Sequence, residues 1–164
     1  MENFKVDLTR YAGVWYEVVR SRDIPFEPPG TKNVCAIYRW DGTTFSIQNE
    51  AILNGKKIQW TATVEKIKGN TLELTNNGMY KILMLDTENY QWAVVWSGQW
   101  LWILSRNLCA PSEIREIYNH LEDWFAFNLN TLIYTEQDDR DISTPLAAIE
   151  NQPSSPTIKV KLYS

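Results

Sequence analysis

The residues able to do bond-making chemistry are few. The 164-residue chain has two cysteines, Cys35 and Cys109, and one histidine, His120. A zinc site built from Cys and His would lack ligands. A catalytic triad would have to use His120, and no serine lies in a Gly-x-Ser-x-Gly turn. Glu17 remains as an acid or base and Cys35 as a nucleophile. The larger resource is aromatic: 8 Trp, 8 Tyr and 5 Phe. Flat rings in that number suit contact with an apolar partner. Lys plus Arg total 16 and Asp plus Glu 20, a net charge of −4. The short basic runs at Lys56-Lys57 and 66–68 are flanked by acidic and apolar residues. No basic face emerges, so no nucleic-acid partner is expected. No cofactor or metal is implied.

Such residues need a frame. A chain of this length fits one domain and buries roughly two thirds of its unfolded surface without a disulfide or metal. Charged residues are 22% and apolar ones 44%, the ordinary globular balance. Disorder, collagen and coiled coil are poor readings of it. Eight strand patterns follow one another, at 14–20, 33–40, 44–52, 56–67, 71–75, 79–85, 90–96 and 99–106, separated by turn signals such as Asp41-Gly42 and Asn54-Gly55. Only the first connection, 21–32, is long, and it carries Pro25, Pro28, Pro29 and Gly30. Eight antiparallel strands in meander order predict an all-β, up-and-down barrel, whose closure removes sheet edges. Such a barrel can hold one small ligand. The rival two-sheet sandwich needs longer crossing connections.

Pro111-Ser112 then opens an amphipathic helix, with Ile114, Ile117, Tyr118, Leu121, Trp124 and Phe125 at helical spacing. It should pack outside the barrel, with His120 at the border of its apolar face. Residues 131–136 read as a short ninth strand. The domain is thus expected over 1–136, followed by a Pro/Ser-rich extended tail, 137–164. Alternation at Ile158, Val160 and Leu162 suggests an added strand over 157–163, on an edge of this chain or of a neighbour. A frayed tail is the other reading, so monomer and homodimer both stay open. No apolar run approaches the 18 residues of a transmembrane helix. Residues 1–10 lack the apolar core of a signal peptide. A leaderless cytoplasmic protein and the mature form of an exported or membrane-anchored one both fit.

Specific motifs lie on this frame. Gly13-Val14-Trp15 at the first strand, Asp86 to Tyr90 followed by Ala93-Val94-Val95, and Leu101 to Arg106 at the eighth occur in the order and spacing of the lipocalins. Together with Phe26-Glu27 and Ala36-x-Tyr38, they resemble the branch of apolipoprotein D, the bacterial lipocalins and the plant temperature-induced lipocalins. The resemblance covers about Val6 to Gln137. The chain has Glu88-Asn89-Tyr90 where that family typically has Thr-Asp-Tyr. The resemblance implies that Gly13, Trp15, Tyr90 and Arg106 meet at the closed base, with the Arg106 guanidinium stacked on the Trp15 indole. Such a contact contributes ~0.5–2 kcal/mol and is a structural plug.

With Arg106 and Trp15 turned inward, alternation assigns the other strands. The expected ligand-binding set is Glu17, Val19, Ala36, Tyr38, Ile47, Asn49, Trp60, Ala62, Tyr80, Ile82, Val95, Trp100 and Trp102. Val34, Met84 and Leu104 share the inward parity; Cys35 points out. The lining is aromatic and aliphatic with few polar groups, the usual chemistry of a small-molecule pocket. Indoles suit flat or elongated ligands: retinoids, sterols, tetrapyrroles, fatty acids or lysolipids. No cation falls on the inward parity, so a carboxylate head group would need Arg20, Arg22 or Lys32 at the rim. A buried Glu17 needs a hydrogen bond or a proton.

Cys35 and Cys109 lie at opposite ends of strands that separate them by ~25 Å. A disulfide needs Cα atoms within about 7 Å, so none is expected, which fits a reducing compartment. The leading function is carriage or scavenging of a small hydrophobic molecule. The alternative is an isomerase or cyclase using the barrel as a shaped pocket, with Glu17 as acid or base, or with Cys35 as nucleophile as in the prostaglandin-synthase branch. The Pro-rich loop, with Ile24, Pro25 and Phe26, reads as a lid or as a peripheral membrane or partner contact.

Overall fold

The computed structural model describes residues 4–75 and 78–138. The predicted tail strand lies outside them. A short helix α1 (Leu8–Tyr11) precedes eight strands: β1 (Gly13–Ser21), β2 (Lys32–Trp40), β3 (Phe45–Leu53), β4 (Lys56–Lys68), β5 (Thr71–Leu74), β6 (Met79–Leu85), β7 (Trp92–Trp96) and β8 (Leu101–Ser105). Helix α2 (Ile114–Phe125), a 3-10 turn (Leu129–Thr131) and β9 (Leu132–Tyr134) follow. Each of the eight strands pairs antiparallel with the next, and β1 pairs with both β8 and β2. The meander therefore closes into a barrel.

Local chemistry explains the boundaries. Asn54 and Gly55 both adopt positive φ, as a tight two-residue hairpin between β3 and β4 requires. β7 begins at Trp92 rather than Tyr90, because Tyr90 has φ 52° and the Asp86 amide bonds the Trp92 carbonyl. β8 begins at Leu101 rather than Gln99: Ser97 N–H donates to the Trp100 carbonyl, and Ser97 Oγ accepts from the Gln99 and Trp100 amides.

Two apolar layers result. One fills the barrel and includes Trp15, Tyr38, Ile47, Ile82, Val95 and Trp102. The other lies between the outer wall and α2, where Ile117 and Leu121 meet Leu101, Ile103, Val94 and Leu83. Trp92 and Trp96 pack on this outer layer. Trp124 is 47% exposed and stacks on His120 at 3.7 Å between centroids.

Two bulges decide which residues face which layer. The β1–β8 register shifts between Glu17 and Val19, so that Val19 pairs with Ile103 and Arg20 with Trp102. The β6–β7 register shifts between Ile82 and Met84. A bulge inserts one unpaired residue and reverses the parity beyond it. Val19 and Met84 consequently join the outer layer, while Leu85 joins the inner one.

β1 is also shared along its length. Gly13 to Tyr16 pair with β2, whereas Val19 to Ser21 pair with β9. The chain after β9 fills the seam that opens between β1 and β2. Thr135 N–H donates to the Val18 carbonyl, and Asn33 N–H to the Glu136 carbonyl. Gln137 Nε2 donates to the carbonyls of Glu17 and Val34, at 2.7 and 3.0 Å.

Candidate functional site

The base of the barrel is built from α1 and the start of β1. Asp7 caps α1, accepting from the Thr9 and Arg10 amides, the usual relief for unpaired N-terminal amides. Tyr11 is thereby driven into the barrel, fully buried. Trp15 lies beneath it and donates from Nε1 to the Tyr11 carbonyl, 2.8 Å. The Arg106 guanidinium carbon sits 3.8 Å from the Trp15 ring centroid. Its nitrogens donate to the carbonyls of Tyr90, Val14, Arg10 and Ala12 at 2.8–3.1 Å. Burial lowers its pKa to about 10, so it stays charged at neutral pH. Gly13 is required here: its φ is +110°, and a Cβ would meet Arg106 Nη1 at 3.1 Å. Tyr90 completes the base, its ring under Arg10 at 4.2 Å and its hydroxyl accepting from the Asp7 amide.

Above this floor the phenols of Tyr11, Tyr38 and Tyr80 meet. Tyr80 bonds Tyr11 and lies 2.6 Å from the Tyr38 hydroxyl. Burial, the largest cause in each case, raises all three pKa values. The cluster is neutral.

Strand register brings the remaining interior side chains together. Ala36 faces Asn49, Tyr38 faces Ile47, and these face Trp60 and Ala62 in turn. On the other side Ile82 pairs with Val95 and Val95 with Trp102. Trp60 and Ala62 are half-buried and pack on the same inner layer. The space these walls leave, bordered among others by Glu17, Asn49, Tyr38, Val95, Trp102 and Leu104, has a volume of about 10 Å³. That is room for one water molecule. Asn49 is wholly buried, and neither its Oδ1 nor its Nδ2 has a protein partner among the described residues.

The mouth is covered by the long loop, residues 22–31. Ile24 and Glu27 are buried in it. Phe26 meets Trp100 edge-on, centroids 5.4 Å apart and planes at 86°, and lies 6.4 Å from Trp102. Glu27 Oε2 accepts from Trp102 Nε1 at 3.0 Å. Arg20 answers Glu27 twice: its Nε lies 3.7 Å from Glu27 Oε1, and its Nη1 donates to the Glu27 carbonyl at 2.9 Å. Glu17 Oε2 accepts from Thr135 Oγ1 at 2.7 Å, and the Glu27 carboxyl is its electrostatic neighbour. Burial first, then the charge of Glu27, raise the pKa of Glu17 well above the carboxylate range, against Thr135 and Arg20. Like charges this close disfavour ionising both carboxyls together, and Arg20 stands against them.

Residues 6–137 match the sequence model of the lipocalin-like domain. The chain is a lipocalin. It is 34% identical over 146 residues to the outer membrane lipoprotein Blc of Vibrio cholerae, covering 80% of this chain and 82% of that protein. Among solved structures, the cockroach allergen Per a 4 superposes with a TM-score of 0.71 at 20% identity, over 84% of this chain and 92% of its own. Lobster apocrustacyanin A1 gives 0.67 at 18%, over 86% and 85%. At these identities the two structures show the shared fold.

Against the expected lining, this lipocalin places Glu17, Ala36, Tyr38, Ile47, Asn49, Trp60, Ala62, Tyr80, Ile82, Val95 and Trp102 on the inner side. Val19 is a correction. Strict alternation puts it inward, but the bulge after Glu17 turns it onto the outer layer. Met84 is the same correction on β6. Trp100 stands in the turn before β8 rather than in the strand, and packs on the lid through Phe26. Cys35 has ladder partners of outward parity, Tyr16 and Glu50. It is nevertheless buried and borders the enclosed space, beside a register shift and the positive φ of Asn33. Cys109 is exposed.

Arg20 and Glu27 are the polar interior residues that alternation misses. The adjacent Val18-Val19 pair does not signal the bulge, since the equally apolar runs Ala93 to Val95 and Leu101 to Leu104 pair without a register shift. Beyond the bulge Arg20 turns in, so the barrel does contain a cation, already engaged by the lid.

Proposed function

We propose that this lipocalin binds and carries a small hydrophobic molecule, drawn from the fatty acids, lysolipids, retinoids, sterols or tetrapyrroles, inside the barrel. The observation that carries this reading is the contrast between the two ends. The base is locked by a guanidinium bonded to backbone carbonyls of α1, β1 and the loops beside them, under a stacked indole. The mouth is covered by one loop whose anchors are the Phe26 ring and the Glu27 carboxylate. A drug-sized ligand needs about 300 Å³ or more, far above the enclosed 10 Å³. Entry therefore requires the lid to swing and Phe26 and the half-buried Trp100 and Trp60 to give way. Affinity comes from apolar ligand surface removed from water, ~25 cal/mol per Å² before association costs. The proposed contacts are Tyr38, Asn49, Trp60, Val95 and Trp102, with Trp100 at the lip.

The carrier reading is favoured over an isomerase or cyclase. Glu17 is engaged by Thr135 and Glu27, and His120 lies outside the barrel against Trp124. The lid reading of the loop is favoured over a membrane contact, since Ile24 is buried. The test is titration with retinol, oleate, lysophosphatidylcholine and biliverdin, following tryptophan emission. A saturable change with at least one supports the proposal; no change with any removes it.

A further inference from the structure

Resting on that reading, one feature of the interior narrows the ligand. Asn49 is fully buried and borders the interior space, with both its donor and its acceptor unmatched among the described residues. Leaving either unmatched is unfavourable. The ladder explains why the protein does not relieve it. Asn49 faces Ala36 on one side and Trp60 on the other; the Ala36 methyl neither donates nor accepts, and the Trp60 indole N–H makes no hydrogen bond to the amide. The nearby phenols bond one another.

Charge decides what kind of group can serve. Glu17 borders the space; Glu27 is bonded to Trp102, which also borders it, and Arg20 stands behind Glu27. The guanidinium is committed to Glu27, through its side chain and its carbonyl. Glu27 is also held by Trp102, and Glu17 by Thr135. An entering anion would meet two carboxyls, and the cation at hand among the described residues, Arg20, already faces them. An entering cation would have to be stripped of water among indoles and phenols, where Arg20 already stands against both carboxyls. Desolvating either ion without a partner is costly.

We propose that Asn49 is the head-group anchor of the barrel and that the ligand is an uncharged amphiphile ending in a hydroxyl or carboxamide, its polar end on Asn49 and its chain running past Trp102 toward the lid. A group that both donates and accepts satisfies Oδ1 and Nδ2 together. A plain hydrocarbon leaves both unmatched.

The test uses the whole chain and three twelve-carbon probes at neutral pH: dodecanol, dodecanoate and dodecyltrimethylammonium, each titrated calorimetrically. Dodecanol should bind about tenfold or more tightly than either ion. Asn49→Leu should lower dodecanol affinity by about tenfold and narrow its margin over the ions. Asn49→Ser, which keeps a donor and acceptor in a smaller side chain, should fall between. If Asn49→Leu does not fold, the ranking of the probes on the unmodified protein and the Ser variant decide. Equal binding of all probes, or preference for dodecanoate, overturns the head-group assignment while leaving the carrier reading intact. Binding of none overturns both.

Discussion

Arg20 should matter more for closure of the barrel than its place on an ordinary strand would suggest. It is nearly fully buried, as is Glu27, and the two are 3.7 Å apart. Replacing Arg20 by Met leaves the Glu27 carboxylate desolvated without its countercharge. Breaking a buried pair in this way costs about 3–5 kcal/mol. The lower end applies, because the loop can lift Glu27 into water, so the expected loss is about 3 kcal/mol, or roughly 6–12 °C in Tm for a domain of this size. Glu27→Gln alone should cost a similar amount, since it strands the cation. The double variant removes both charges while its amide oxygen still accepts from Trp102. It should therefore recover at least about 2 kcal/mol relative to the sum of the singles. Urea unfolding of all four proteins, with far-UV circular dichroism, measures this coupling. Additivity within about 0.5 kcal/mol would refute the reasoning, because it would mean that the lid is not held by this pair. A red shift of tryptophan emission in Arg20→Met, from the lid leaving Trp100 and Trp102, is the accompanying spectroscopic sign.

Other outcomes follow from the same geometry. Gly13→Ala must place a Cβ at positive φ and 3.1 Å from Arg106 Nη1; it should lower stability by about 2 kcal/mol or more, seen as a fall in Tm, and an unchanged Tm would contradict the base plug. Glu17 faces Glu27, Arg20 and Thr135 and carries a raised pKa, so the folded state keeps a proton that the unfolded chain releases. Stability should then be unpenalised in acid and fall as pH rises above the ordinary carboxylate range toward the folded pKa, by up to ~1.4 kcal/mol per pH unit. Glu17→Gln should flatten that slope in denaturant midpoints measured from pH 4 to 8. Trp102→Phe, which removes the indole bond to Glu27, should weaken ligand binding about tenfold or more, whereas Trp96→Phe, packed outside against Phe127, should change it less than about twofold; equal effects in titration would argue against an interior site.

The barrel was legible in the sequence because its signals are local. Asn54-Gly55 and Ser97-Gly98 mark turns by backbone freedom, and the spacing of Ile117 and Leu121 marks a helix face. The base was legible because Gly13, Trp15 and Arg106 are read from a motif as a unit. The mouth was not, for a physical reason: alternation carries information only while the ladder is unbroken. One extra residue at the Glu17–Val19 bulge sends Val19 out and Arg20 in, and this adds a cation to the interior beside Glu17. Glu27 sits in a loop, where no periodicity speaks. The seam between β1 and β2, closed by Thr135 and Gln137, depends on contacts more than 100 residues distant in the chain, which no local pattern encodes.

The central claim is that the ligand sits inside the barrel, among Trp60, Trp100 and Trp102, and not on the outer wall. Nitrogen-15 spectra of the tryptophan indole N–H groups test it directly, with retinol, oleate, lysophosphatidylcholine or biliverdin added in turn. Saturable shifts of Trp60, Trp100 and Trp102, with Trp96 and Trp124 unmoved, are the predicted result. Shifts confined to Trp96 and Trp124, or none with any of the four, would contradict it.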